Sequence, residues 1–185
     1  MKKRQVDHVL RAAGKIAGDT EFIIIGSQAL HGTRPDLVDE VIFSAEVDLI
    51  AKNRPDATEF LNVIGVGSKF HEEFGYYADP VDRNTAKLPK DWESRLVPLA
   101  SGQTDGVTGL CLEPHDLAIA KYVAGREKDL VFVAALVGRG LLERKTLIER
   151  LRDTNIPDAV RARVRARINA DFGTRSPPSR SAGRR

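Results

Sequence analysis

The sequence predicts an α+β (mixed α/β) fold, in which a sheet with flanking helices is followed by a helical half. Short β-branched runs, typical of strands, all fall before residue 113. Apolar residues at helical spacing dominate residues 114–172 instead. Because strands come first and helices second, we divide the chain into a sheet domain, residues 1–113, and a helical part packed on it, residues 114–172.

The first elements follow from hydrophobic spacing. Residues 6–17 carry apolar side chains at helical spacing, and Gly18 closes the predicted helix. The continuous apolar run at residues 21–26 predicts a buried strand, and residues 47–51 predict a second one. Residues 32–40, with a proline and several acids, are expected to form a loop between these two strands.

Shorter signals predict the rest of the sheet domain. Residues 57–65 place Phe60, Leu61 and Ile64 on one face of a predicted helix, which two glycines end. Residues 76–78 are a candidate third strand. Two apolar runs flank a polar connection rich in glycine, and we expect a hairpin with a loop there. These runs are residues 95–99 and 107–112.

Four helices are predicted in the second half. Pro114 suits the first position of a helix, where its missing N–H is no loss, and Gly125 ends that helix. The last helix begins at Pro157. Its apolar residues in an i, i+4 series are Val160, Val164, Ile168 and Phe172, and the two helices before it cover residues 129–136 and the region around 147–151.

Length and composition exclude several protein classes. The chain has 185 residues, of which 42% are hydrophobic and 30% charged, so neither wholesale disorder nor two large domains fit. A single cysteine, Cys111, excludes an internal disulfide and a cysteine-based zinc site. No apolar run approaches the ~18 residues of a membrane span, and charges interrupt any signal-peptide core, so we expect a cytoplasmic protein without membrane contact.

Positive charge is concentrated near the C-terminus, although the net charge is only +3. Residues 173–185, rich in Ser, Pro, Gly and Arg, are predicted to be a disordered basic tail. Four arginines are expected to lie on the outer surface of the last helix, available to phosphates. They are Arg161, Arg163, Arg165 and Arg167.

A Gly26-Ser27 pair follows the first predicted strand. Small residues at such a turn let backbone N–H groups approach a phosphate, and a helix N-terminus after them would add a favourable dipole. The alternative is a simple turn, since Gly-Ser turns after strands are common.

Two carboxylates, Glu46 and Asp48, are two residues apart on the second predicted strand. Because side chains alternate along a strand, both point to the same face. The pair repels itself unless a hard cation such as Mg²⁺ lies between the carboxylates and phosphate oxygens. The alternative is an acidic solvent face on a half-exposed strand.

Together these features resemble the nucleotidyltransferase superfamily that includes DNA polymerase β. Further blocks, at residues 70–78, 88–98 and 113–132, look like a family of small bacterial nucleotidyltransferase-like proteins. Lys121 and the Arg126–Asp129 block also resemble the AbiEii/MenT-type toxins.

The resemblance implies transfer of a nucleoside monophosphate from an NTP to a hydroxyl acceptor. The acceptor would be a tRNA 3′ end or a protein, and the chain would be the toxin of a toxin–antitoxin pair with a cognate antitoxin. Gly26 and Ser27 would hold the triphosphate, and Glu46 and Asp48 would bind two divalent metals, Mg²⁺ or alternatively Mn²⁺.

The resemblance also implies further residues in the site. Lys121, with Arg126 or Lys128, would neutralise the triphosphate. A third carboxylate would bind metal or act as base. Asp129 is the first choice for this carboxylate, and Asp79 and Asp82 are alternatives.

Two departures from the superfamily pattern support other hypotheses. Glu46 stands where Asp is usual, and the segment from Ser27 to Glu46 is long. The first alternative is therefore a catalytically inactive module of the same fold that binds nucleic acid or a partner through its arginine-rich C-terminus. The second is an adenylyltransferase acting on a small alcohol of the aminoglycoside type.

Overall fold

The computed structural model describes residues 1–34 and 44–173. Within them the sheet has five strands in the order β3-β2-β1-β5-β4. The strands are β1 (Glu21–Ile24), β2 (Glu46–Ala51), β3 (Tyr77–Pro80), β4 (Val97–Leu99) and β5 (Thr108–Cys111).

The sheet is mixed in strand direction. Strand β1 pairs antiparallel with β2 and parallel with β5, and β2 pairs parallel with β3. Strands β4 and β5 are antiparallel, which confirms the predicted hairpin. The β2–β3 register sets Glu46 opposite Tyr77 and Asp48 opposite Asp79.

Helices surround the sheet and make up the second half of the described chain. The α-helices are α1 (Lys3–Ala17), α2 (Lys69–Phe74), α3 (Pro114–Ala124), α4 (Glu127–Gly138), α5 (Arg144–Arg152) and α6 (Asp158–Gly173). Three 3₁₀ helices span Ser27–Gly32, Pro55–Ile64 and Trp92–Arg95. The predicted α+β class, with a helical second half, is confirmed. No helix in the described ranges is long and apolar enough to span a bilayer.

One part of the core lies between α1 and the sheet, and the same cluster of buried side chains continues into the helices of the second half. Helix α1 is strongly amphipathic and fully buries Val6, Val9 and Leu10. A Cβ at Gly109 would lie 2.9 Å from Ile24 Cδ1 and 3.1 Å from Leu10 Cδ1, so α1 packs closely across β1 and β5.

The predicted helix at residues 57–65 is a 3₁₀ helix, and one of its predicted contacts is wrong. Leu61 and Ile64 are buried, as expected, but Phe60 is 51% exposed. With three residues per turn, side chains i and i+3 share a face, so Thr58, Leu61 and Ile64 point inward together. Phe60 belongs to a different row.

A buried ion-pair hub holds α3 in place. Asp116 in α3 is fully buried and accepts from Arg95 Nε at 2.7 Å and Arg95 Nη2 at 3.1 Å. Arg150 in α5 pairs with the same carboxylate at 3.2 Å. The segment before β4 and two helices are thereby fixed to one another, which sets the position of the side chains that α3 presents.

The predicted exposure of the α6 arginines is only partly correct. The Arg161 guanidinium donates to four backbone carbonyls, those of Leu151, Arg152, Thr154 and Ile156. Arg167 pairs with Asp171 at 2.9 Å. Arg161 is therefore a structural residue, because the chain turns between α5 and α6 around its side chain.

Two sequence predictions lie outside the described residues. One is most of the expected loop at residues 32–40, and the other is the basic tail beyond residue 173.

Candidate active site

The site begins where β1 ends beside β2. Ile25 N donates to Asp48 O at 3.3 Å, which fixes Asp48 next to the Gly26-Ser27 turn. A Cβ placed on Gly26 would lie 1.6 Å from Asp48 Oδ2. Gly26 has φ −92° and ψ −166°, so the glycine is required by this close approach and not by a left-handed backbone.

The turn that follows differs from the expected helix N-terminus. Ser27 begins a 3₁₀ helix of six residues, Ser27–Gly32. A helix this short has a small dipole, so any phosphate contact here depends on the backbone N–H groups of the turn and the Ser27 side chain. Ser27 itself is half-buried, whereas Gly26 is buried.

Three carboxylates share one face of the sheet at this point. Glu46 and Asp48 are half-buried and alternate with the fully buried Val47 and Leu49, which confirms that they point to one face. Asp79 lies directly opposite Asp48 on β3. Side chains of directly paired residues are neighbours on the same face of a sheet, so the three carboxylates form one acidic cluster.

The electrostatics of this acidic cluster favour protons or cations. Burial raises the pKa of Asp48 to about 6; Lys121 opposes this rise, and Asp79 and Glu46 add to it. Burial and then the charge of Glu46 also raise the pKa of Asp79. An opposite charge brought between these carboxylates would relieve the repulsion.

Two cations face the acidic cluster from the helical half. The positive charge of Lys121 in α3 opposes the rise in the pKa of Asp48. The pKa of Arg126 is raised, first by its hydrogen bond to Asp129 and further by the charges of Asp48 and Glu46. The topology therefore assembles residues that are about 75 positions apart in sequence.

Asp129 holds both cations. Its carboxylate is 1% exposed and accepts from Lys121 Nζ at 2.8 Å and from Arg126 Nε at 2.6 Å. Burial raises the pKa of Asp129, but the hydrogen bonds from Arg126 and Lys121 outweigh burial, and the net effect is a lowered pKa. The Asp129 carboxylate is therefore occupied by Lys121 and Arg126. The carboxylate that lies beside Asp48, across the β2–β3 strand pair, is that of Asp79.

The remaining predicted residues lie apart from this arrangement. Lys128 is exposed and takes no part in the ion pairs around Asp129. Asp82 follows β3 and lines a different groove, of about 600 Å³, together with Asp56 and Glu59.

Comparison with known proteins bears on this geometry. A family described as "Nucleotidyltransferase of unknown function (DUF6036)" has a model that matches residues 3–166. The chain belongs to this family. The match runs from α1 into α6 and so includes every residue of the site described above. No curated protein and no solved structure matches the chain.

Family membership supports the nucleotidyltransferase part of the predicted resemblance, while the relation to AbiEii/MenT-type toxins stays a prediction. This reaction class raises the question of which side chains in the chain would hold Mg²⁺. Within residues 1–34 and 44–173, no three or more His, Cys, Asp or Glu side chains are grouped so as to hold a metal ion. Mg²⁺ commonly takes one or two carboxylates, with substrate phosphates and water completing its six ligands. Glu46 and Asp48 fit that donor set.

Two residues of the site, Tyr77 and Asp79, carry only a weak signal in the sequence. Tyr77 lies opposite Glu46, and its hydroxyl donates to Glu46 Oε2 at 3.5 Å. Tyr77 and Asp79 alternate as Glu46 and Asp48 do, and this alternation was the available signal. Tyr76 points the other way, into an aromatic cluster with His8, Phe70 and Phe74.

Proposed function

We propose that this protein is a Mg²⁺-dependent nucleotidyltransferase that moves a nucleoside monophosphate from an NTP to a hydroxyl acceptor. The observation that carries the proposal is the seating of the Asp48 carboxylate against Gly26, beside Glu46 and facing Lys121. A close carboxylate pair at a Gly-Ser turn, opposite two cations, suits a triphosphate with its metal ions. Family membership supports the same reaction class.

In the proposed reaction the acceptor oxygen attacks the α-phosphorus of the NTP. The new phosphorus–oxygen bond forms as the bond from the α-phosphorus to pyrophosphate breaks, and the hydroxyl proton leaves. Asp79 is our candidate for taking that proton, because its carboxylate lies beside Asp48 and its pKa is raised. Glu46 and Asp48 would hold two Mg²⁺ ions, which would supply charge neutralisation and a lowered hydroxyl pKa.

Lys121 and Arg126 have a separate part in this proposal. Their positive charges would offset the negative charge of the triphosphate and of the departing pyrophosphate. Asp129 acts as a positioning residue, since its buried carboxylate holds both cations on the side of the acidic cluster. Lys128, being exposed, would contribute only if the substrate extends past Arg126.

The acceptor and the biological setting rest on the resemblance to AbiEii/MenT-type toxins. On that basis we propose a tRNA 3′ end, or alternatively a protein side chain, as acceptor. We also propose that the chain is the toxin of a toxin–antitoxin pair. Expression of the chain alone and together with each adjoining gene tests this, because a cognate antitoxin should relieve growth arrest caused by the chain.

A second function is favoured by one specific observation. In the described part of the chain, no three or more His, Cys, Asp or Glu side chains are arranged so that they could together hold a metal ion, the acidic cluster included, and this is consistent with a module that keeps the fold and has lost turnover. Such a module would bind nucleic acid or a partner without transferring a nucleotide.

One experiment separates the two functions. The protein is incubated with each α-labelled NTP, Mg²⁺ and either total RNA or cell lysate, and the label on macromolecules is measured. Incorporation from one NTP that requires Mg²⁺ would support the transferase. Binding of the NTP without incorporation, under all conditions including Mn²⁺, would support the inactive module.

A further inference from the structure

A groove of about 410 Å³ lies between α5 and α6, in the helical half. It is lined by Arg144, Lys145, Ile148, Glu149, Arg165 and Asn169. Both helices are anchored by fully buried side chains, such as Leu147 in α5 and Ile168 in α6. The groove is therefore a fixed surface feature and does not depend on a mobile loop.

The cations that line the groove lack the carboxylate partners that several other arginines of the chain have. Arg144, Lys145 and Arg165 are exposed, and Glu149 is the single carboxylate among the lining residues. Within the described ranges none of these three cations forms an ion pair. By contrast, Arg95, Arg150, Arg152 and Arg167 each pair with an aspartate.

A neutral partner orients the Arg144 side chain. Its Nε and Nη2 both donate to Asn169 Oδ1, at 3.1 and 2.7 Å. Because the amide oxygen carries no formal charge, it holds the guanidinium in place without offsetting its positive charge. A preoriented guanidinium with free N–H groups matches the oxygens of a phosphodiester.

The basic surface continues from the groove towards α3. Arg163, two residues before Arg165, is exposed and donates from Nη2 to Val123 O at 3.1 Å. Val123 lies two residues after Lys121 in α3, and Arg126 precedes α4. Positive side chains thus lead from the groove towards the helix that presents Lys121 to the acidic cluster.

We infer that the groove between α5 and α6 binds the phosphate backbone of a nucleic-acid strand. Three cations without carboxylate partners, on a concave and rigid surface, match a chain that carries one negative charge per phosphate. The inference rests on the proposed function and deepens it by assigning a surface, away from the acidic cluster, to a nucleic-acid partner. Nucleic-acid binding is measured without triphosphate or metal. A failure of this binding can therefore be distinguished from a failure of nucleotide transfer.

The test is fluorescence anisotropy with the full chain in EDTA. The probes are a labelled single-stranded 20-nucleotide RNA, the DNA of the same sequence and a labelled 20-residue poly-glutamate. The groove variant is R144Q/K145Q/R165Q. The matched control, R4Q/K69Q/K87Q, removes the same charge from exposed positions outside the groove. Thermal unfolding of both variants checks that they are folded.

We expect the groove variant to bind RNA or DNA at least ~10-fold more weakly than wild type near 0.1 M salt. The slope of log affinity against log salt should fall by roughly 2, since each lost phosphate contact on a single strand contributes ~0.7. The control should stay within about twofold of wild type. RNA and DNA arms that respond alike would support recognition of the shared phosphate backbone.

Three results would overturn the inference. The first is no detectable binding of either nucleic acid by the wild-type chain. The second is an equal loss of affinity in the groove and control variants, which would indicate a diffuse charge effect. The third is selective loss of poly-glutamate binding in the groove variant, with nucleic-acid binding unchanged, which would assign the groove to an acidic protein.

Discussion

The Asp48 carboxylate occupies the space that a side chain on residue 26 would need, since a Cβ there would lie 1.6 Å from Asp48 Oδ2. The contact joins Asp48 of β2 to the turn that follows β1, its antiparallel neighbour, and brings a candidate metal ligand to the turn where a triphosphate is proposed to bind. The backbone of Gly26 is extended, so the requirement for glycine comes from space alone.

Gly26→Ala should therefore displace the Asp48 side chain and lower transfer activity on the order of 10²-fold. The fold should survive, because a carboxylate can rotate away while the strands stay paired. Gly102→Ala is the control, since Gly102 has open space around it. Unchanged transfer in Gly26→Ala, with the wild-type position of Asp48 in a crystal structure, would contradict the stated role of this contact.

Asp48→Asn should stabilise the metal-free protein at pH 8. Because the folded pKa is raised to about 6, the folded state favours the neutral form, and this contribution is lost as the pH rises through that value. The gain should approach at most about 3 kcal/mol above pH 7, and it should vanish near pH 4. Urea denaturation in EDTA measures it, with Glu59→Gln as an exposed control. A variant as stable as wild type at pH 8 would show that Asp48 is not strained by its surroundings.

Asp129→Asn should have the opposite effect. Its folded pKa is lowered, so its stabilising contribution is present at neutral pH and is lost as the pH falls through the folded pKa. Loss of this buried partner of Lys121 and Arg126 should cost about 3 kcal/mol at pH 7, as measured by urea denaturation. It should also weaken triphosphate binding, because both cations lose their position. Asp153→Asn, at an exposed ion pair, is the control and should change neither property. A stabilised Asp129→Asn variant would exclude this positioning role.

Arg161→Gln should destabilise the fold by about 2 kcal/mol. The substitution leaves the carbonyls of Leu151, Thr154 and Ile156 without this donor, and unsatisfied buried carbonyls are costly. Arg165→Gln, at an exposed position on the same helix, should leave the unfolding midpoint unchanged. Equal midpoints for the two variants in urea denaturation would argue against a structural role for Arg161.

Much of the fold could be predicted from local patterns. The continuous apolar run at residues 21–26 predicts a strand, and the structure has one at Glu21–Ile24, two residues shorter. The acid-x-acid pattern of Glu46 and Asp48 depends only on period-two alternation, and both residues lie in β2. The amphipathic pattern of α1 likewise identifies its buried face. Phe60 was misplaced because the pattern was assigned a period of 3.6 residues, while the segment forms a 3₁₀ helix.

The site was harder to predict because its parts meet only through long-range pairing. Asp79 becomes the neighbour of Asp48 through the parallel register of β2 and β3, which no local pattern specifies. Asp129 resembled a metal ligand in sequence, yet its burial between Lys121 and Arg126 is a property of helix packing. Arg161 donates to backbone carbonyls and is not left available to phosphates, and this too is a consequence of helix packing.

The proposed site is tested most directly by measuring nucleotide transfer in Asp48→Asn. Wild type and variant are compared with α-labelled NTP, Mg²⁺ and total RNA, and Glu59→Gln serves as the acidic control outside the site. We expect Mg²⁺-dependent labelling by wild type and by Glu59→Gln, and a loss on the order of 10²-fold or more in Asp48→Asn. Undiminished labelling by a folded Asp48→Asn protein would contradict the proposed site.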